Sequence, residues 1–293
     1  MADRGGVTRV LAKLEKSIEA GDYYEAHQMY RSVYARYAAQ NDFDSAILLV
    51  YTGSTLFFKH GQTGSAGDLA VLMLDAYTAQ PTPLDEKSLA RIAELFSGYK
   101  EDHATRDKLV RQSLKWSTAV GRNTRGDPSL HHLFGTAFWR EHNYQLAESH
   151  LVLGTEASAL SLAEMLLEWS QKGSPSELEL FITRAVLKYL ELGNLRDANV
   201  LFRTFTAQHP SIRNPPFRLP LLNFCHFLLA TLERDAAPLF KMLREKYRPS
   251  LQRDASFDAS LDAIGQCFFN IRSSSGVSSM PGISEMLRTM LGS

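Results

Sequence analysis

Histidines, cysteines, paired carboxylates and a glycine-rich stretch are the residues of this chain best able to do chemistry, and their spacing tests each in turn. The chain holds nine histidines. His131 and His132 are adjacent, so on a helix they point about 100° apart and cannot share a metal without other ligands. His142 and His150 lie near two turns apart, with no Cys, Asp or Glu at a spacing that completes a metal site. Cys225-His226 has no identifiable triad partner. Asp85-Glu86 reads as an exposed helix start rather than an acid/base pair. Gly61-x-x-Gly64-x-x-Gly67-Asp68 suggests a phosphate cradle, but no Lys-Ser or Lys-Thr follows and the preceding segment is helical rather than a strand. It is better read as a turn between helices. These residues specify no enzyme, no metal site and no cofactor.

The elements around them are helices. From Gly21 to Tyr37, Asp22 and Glu25 have the spacing of a capping box. Tyr23, Ala26, Tyr30, Val33, Tyr34 and Tyr37 then form one stripe of helical period, and Gly21 suits the left-handed residue that closes the preceding helix. Two helices meeting at so short a turn lie side by side. The phrase recurs at Asn41-Asp42-Phe43-x-x-Ala46, His142-Asn143-Tyr144-x-x-Ala147 and Gly193-Asn194-Leu195-x-x-Ala198. Its small alanine is where a neighbouring helix can come close. Further helix starts stand at Pro83, at Asp127-Pro128 and in the capping box Ser174-Pro175-Ser176-Glu177. The four prolines between His209 and Pro220 exclude a helix there. The pattern predicts about fourteen helices and no strand: an all-α solenoid of stacked helical hairpins, irregular and tetratricopeptide-like. Capping phrases 20, 101 and 51 residues apart exclude a strict repeat.

Composition sets the remaining bounds. At 293 residues, 44% hydrophobic and 22% charged, this is an ordinary soluble chain able to bury a sizeable core. Its 32 basic residues balance 32 acidic ones, which argues against nucleic acid or an anionic membrane as partner. Imbalance is local: Lys100 to Arg125 holds seven basic and three acidic residues, Leu151 to Leu180 one basic and five acidic. The N-terminus shows no signal peptide. The longest apolar run, Leu221 to Leu232, is too short to span a bilayer and is broken by Asn223 and His226. Cys225 and Cys267 read as buried free thiols in a reducing compartment, the cytosol.

Ala20 to Gln28, A-G-D-Y-Y-E-A-H-Q, resembles the signature of the cytosolic Golgi-to-ER traffic protein four family, the scaffold of the pathway that targets tail-anchored proteins. Two more blocks agree. One is Gly126-Asp127-Pro128-x-Leu130-His131, running on to Tyr144-x-x-Ala147-Glu148-x-His150. The other is Arg253-Asp254-x-x-Phe257-x-x-x-Leu261-Asp262-x-Ile264-Gly265-Gln266-x-Phe268-Phe269. The likeness covers nearly the whole chain.

The resemblance implies a non-enzymatic scaffold. Its N-terminal half, residues 1–153, would bind the ATPase that carries tail-anchored clients: Asp68, Asp75 and Arg36 match that family's surface, and His27 and Arg31 lie off the apolar stripe of the Gly21–Tyr37 helix and join them as candidates. Its C-terminal half, 154–271, would hold a ubiquitin-like-domain partner around Phe217, Leu221, Leu222, Phe224 and Phe227. Residues 272–293 would be a tether whose short amphipathic helix, Ile283 to Leu291, forms only on contact with something. Two departures stand out: some relatives carry a hairpin where this chain has only His209 to Pro220, and Ala39 replaces a basic residue found in some of them. The alternative is a helical-repeat subunit of another cytosolic assembly, of proteasome-lid or signalosome type. Those chains usually end in a winged-helix module, where this one has a Ser/Gly linker and one short helix.

Overall fold

A computed structural model describes residues 4–100, 104–213 and 215–271. The fold is all-α, a solenoid of helical hairpins, with fifteen α-helices, one 3-10 turn and no strand among the described residues. The chain divides into two compact units. The first runs to Ala137 and takes in Leu153–Thr155; the second comprises Phe138–Val152 and everything from Glu156. The chain passes between the units at 137/138, within one helix, and again at 152/153 and 155/156.

The first unit contains α1 (Arg4–Glu19), α2 (Tyr23–Ala39), α3 (Phe43–Lys59), α4 (Thr63–Ala79), α5 (Glu86–Ser97), α6 (Ala104–Val120) and most of α7 (Pro128–Arg140). The second holds α8 (Tyr144–Leu151), α9 (Glu156–Ser170), the 3-10 turn Pro175–Glu177, α10 (Leu178–Glu191), α11 (Leu195–Gln208), α12 (Pro220–Glu233), α13 (Ala237–Lys246), α14 (Arg248–Leu251) and α15 (Ser256–Phe269). One turn joins many of these pairs. Gly21, Asn41, Gly61, His142, Gly193 and Asp235 all have positive φ. In each turn the next N–H donates to a carbonyl five residues back, as Asp22 does to Ser17 and Asn194 to Tyr189 at 3.0 and 2.9 Å. This is the Schellman closure, which satisfies carbonyls left over at a helix end. Four of the six turns are the recurring phrases; Gly61-Gln62 and Asp235-Ala236 are two more that the phrase does not spell.

Local chemistry differs from expectation at several points. Asp42, Asn143 and Asn194 cap their helices through their side chains, but Asp22 does not, so the Asp22–Glu25 box is absent. Pro83 precedes its helix instead of starting it: Asp85 is the N-cap, with Ser88 completing a capping box. Gly64 and Gly67 lie inside α4, which begins at Thr63 and not near Leu69. A Cβ at Gly67 would fall 2.0 Å from Thr105 Oγ1 and 2.4 Å from the Tyr99 hydroxyl, so this glycine permits close approach of α6 to α4. Cys225 is buried, and burial pushes its thiol pKa up to about 12; Cys267 is exposed, contrary to the buried thiol expected there.

Each unit has its own core. Tyr30, Phe57, Tyr77, Trp116 and Phe134 anchor the first; Tyr189, Phe205, Phe224, Phe240 and Phe257 the second. In the second unit, buried Glu179 accepts a hydrogen bond from the Leu221 N–H at the start of α12 (2.8 Å) and pairs with Arg253, whose other arm donates to the Ser176 carbonyl (2.6 Å). A carboxylate at a helix N-terminus is favourably placed, and its charge is matched.

Candidate functional site

Two surfaces, one in each unit, hold the candidate residues. On α2, His27, Arg31 and Tyr34 fall at i, i+4 and i+7 and so share a face. That face meets α4. Asp68 accepts from Arg31 Nη1 at 2.7 Å and lies 3.0 Å from His27 Nε2. His27 is largely buried, with its ring edge-on to Phe57, whereas Arg31 is half exposed and Asp68 one-third exposed. The pair is therefore an oriented surface cluster rather than a core salt bridge.

Asp75 lies two turns further along α4 and is exposed. It accepts a long hydrogen bond from Gln112 of α6 (3.4 Å). It also lies near Tyr34, whose hydroxyl pKa is raised first by burial and then by the Asp75 charge. Four of the five expected charged residues thus share the face formed by α2 and α4. Arg36 does not. Nine residues after His27 it points to the opposite side of α2, where its guanidinium lies 5.4 Å from the Tyr37 ring centroid. Tyr34 and Gln112 complete the surface. Tyr34 looked like part of the apolar stripe in sequence, and Gln112 belongs to a helix that only tertiary packing brings near.

In the second unit the structure redistributes the apolar set. Phe217, Leu221, Leu222 and Phe224 are buried within the chain itself. Phe217 is pinned by Asn223, whose side chain accepts from its N–H at 2.8 Å and donates to its carbonyl at 2.6 Å. These four build the scaffold, and of the five only Phe227 faces solvent. It joins Leu239 and Met242 of α13, both exposed, at a groove of about 250 Å³. Leu239, Phe240, Met242 and Leu243 spread over one broad arc of α13, of which only Phe240 and Leu243 are buried, so an apolar arc wider than the core contact needs was the available signal.

Neither surface gathers a nucleophile with a base. Among the described residues no group of three or more His, Cys, Asp or Glu could hold a metal ion, and no helix is long and apolar enough to cross a membrane. Ile283 to Leu291 lie outside the described residues. What the geometry offers is recognition by charge in one unit and by apolar area in the other.

Comparison with known proteins agrees across the full length. The family model described as Golgi to ER traffic protein 4 matches residues 40–291. The Golgi to ER traffic protein 4 homolog of Oryzias latipes is 40% identical over 293 residues, covering 99% of this chain and 90% of that protein. The Homo sapiens homolog is 40% identical, covering 99% and 89%. A crystal structure of C. therm. Get4 superimposes with a TM-score of 0.86 at 31% identity, covering 98% of this chain and 96% of that one. The chain belongs to the Golgi to ER traffic protein 4 family.

Proposed function

We propose that this chain is a non-enzymatic cytosolic scaffold in the targeting of tail-anchored proteins to the ER. Its first unit binds the targeting ATPase, and its second binds a ubiquitin-like-domain partner. The observation that carries this reading is the α2–α4 face. His27 and Arg31 hold Asp68 in a fixed position, and Asp75 stands two turns away with its carboxylate exposed. A fixed cluster with basic side chains on one helix and acidic ones on another suits a regulated, reversible partner, because exposed charges mainly set encounter rate and orientation. The Phe227–Leu239–Met242 groove supports the second contact, while the other four apolar residues belong to the core of the second unit. Arg36 takes no part in the acidic cluster and is left out of the primary contact.

The test is a double charge reversal, Asp68→Lys with Asp75→Lys, assayed against the purified ATPase. Asp68 sits in a partly exposed ion pair, so the folding cost is ~1 kcal/mol or less. Binding should weaken, or ATP hydrolysis by the partner should change, while the circular dichroism stays that of the parent. A variant that folds normally and alters neither quantity places the ATPase contact elsewhere. For the second contact, Phe227→Ala should weaken capture of the ubiquitin-like partner.

A further inference from the structure

A cleft of about 490 Å³ opens in the first unit between the start of α3, the start of α5 and the connection of residues 80–83. None of the residues assigned to the ATPase lines it. Its volume suits a small ligand or a short peptide. Two i, i+4 pairs supply the helical walls: Asp44 with Leu48 on α3, and Lys87 with Arg91 on α5. The third wall is pinned. The Gln80 N–H donates to the Ala76 carbonyl at 3.0 Å, the Thr82 N–H to the Tyr77 carbonyl at 3.2 Å, and Trp116 Nε1–H to the Thr82 carbonyl at 3.3 Å. Pro81 and Pro83 on either side of Thr82 offer apolar rings and no N–H donor.

Three features point to a ligand. Leu48 is one of the few large apolar side chains left exposed among the described residues, at 40%. Ser45 is only 4% exposed, yet its hydroxyl has no hydrogen-bond partner among the described residues; a polar group so deep is ordinarily satisfied. Lys87 and Arg91 form no ion pair among the described residues, and the Arg91 guanidinium is held 5.2 Å from the Tyr51 ring centroid.

The charge balance selects the sign of the ligand. Asp85 also lines the cleft, but its carboxylate is committed to the capping box, accepting from the Ser88 N–H at 2.8 Å. That leaves one uncommitted carboxylate, Asp44, against two cations. A phosphate or a polyanion would be repelled by Asp44 and Asp85. A single carboxylate beside an apolar group satisfies Lys87 and Arg91 and covers Leu48. An extended peptide offers that combination, together with backbone amides for the Ser45 hydroxyl.

We propose that this cleft binds an extended segment of another protein that carries one acidic side chain next to a leucine-like one. The carboxylate pairs with Lys87 and Arg91, the apolar side chain lies against Leu48 and the two prolines, and a backbone amide satisfies Ser45. The scaffold thereby has a third docking place, which stands whether or not the ATPase contact is where we place it.

Amide NMR of the full-length chain, titrated with end-blocked hexapeptides, tests this. The first peptide holds one glutamate flanked by leucines; glutamine replaces that glutamate in the second and lysine in the third. The glutamate peptide should shift the amides of Ser45, Leu48 and Lys87 with a dissociation constant on the order of 0.1–1 mM. The glutamine peptide should bind about threefold more weakly or worse. Leu48→Ser, at an exposed position, should weaken the glutamate peptide by about threefold or more. Lys87→Glu, also at an exposed position, leaves two uncommitted carboxylates against Arg91. It should prefer the lysine peptide over the glutamate peptide, a reversal that loss of fold cannot produce. No cleft shifts at millimolar peptide, equal binding of the glutamate and glutamine peptides, or an unreversed preference in Lys87→Glu overturns the proposal. Inorganic phosphate that displaces the peptide at a lower concentration than the peptide needs to bind marks a small-anion site and overturns it too. So do cleft shifts that grow with protein concentration in the absence of peptide, which assign the cleft to a second copy.

Discussion

His131 shows what a single residue does in this scaffold. It is buried, and its Nε2–H donates to the Arg125 carbonyl at 3.0 Å. Burial lowers its pKa below the ordinary 6.5, partly opposed by that hydrogen bond and by the Asp127 charge. The unfolded chain therefore takes up a proton near pH 6.5 while the folded chain does not. Stability is full above that value and is lost as pH falls towards the folded pKa. His132 and His209 are lowered by burial in the same direction. The melting temperature should accordingly drop between about pH 7 and about pH 5, with a shallower slope in His131→Gln; a slope unchanged by that variant would show that His131 titrates as in the unfolded chain. What the sequence could not provide was the pairing of Asp68 with His27 and Arg31, because 41 and 37 residues separate them and only folding defines that distance.

At the scale of elements, the six Schellman turns do more than join helices. At Gly61, φ is +72° and an added Cβ would touch nothing within 4 Å. Gly61→Val therefore isolates backbone strain from crowding and should cost roughly 1–2 kcal/mol, measurable by urea denaturation; an unchanged midpoint would mean the turn relaxes. Ala26 tests the opposite property. It is completely buried, and Ala26→Phe should overpack the helix contact at a cost of ~1–3 kcal/mol, read as a lowered melting temperature. Helix existence was legible here because apolar period and turn residues agree. Gly and Asn are the residues that most readily accept positive φ, so four of the turns announced themselves. His142 and Asp235 accept the same conformation without advertising it. Phe217 to Phe224 mislead for a different reason. Composition reports how much apolar area α12 carries, but not that α10, α11 and α13 pack on it and consume most of that area.

The whole molecule carries as many acidic as basic side chains, so it exerts little long-range pull on any partner, and steering must come from local faces. The two proposed contacts should then respond differently to salt. Raising ionic strength from about 50 mM to about 500 mM shortens the screening length from ~14 to ~4 Å. Association of the ATPase with the α2–α4 face should weaken severalfold, while capture of the second partner at the apolar groove should change less than about twofold. Equal salt sensitivity in surface-binding assays of both would contradict the division of labour between charge and apolar area. The fold class was the most legible level of all, since helical period survives irregular repeat spacing. The interlocked crossings between the two units, at 137/138, 152/153 and 155/156, were not, because only tertiary packing defines them.

The repeated two-residue turn also has a kinetic meaning. Each closes through hydrogen bonds spanning no more than five residues, and the helices it joins, such as α2 with α3 and α3 with α4, pack on each other directly. Loop closure between such partners loses little entropy, and chains rich in near-neighbour contacts fold quickly. A helical hairpin therefore has nearly everything it needs once about forty residues have been made. Synthesis runs at about 5–20 residues per second, far slower than helix formation on the microsecond scale. The α2–α4 face can thus be assembled, with Asp68 already between His27 and Arg31, before the residues of the second unit have left the ribosome.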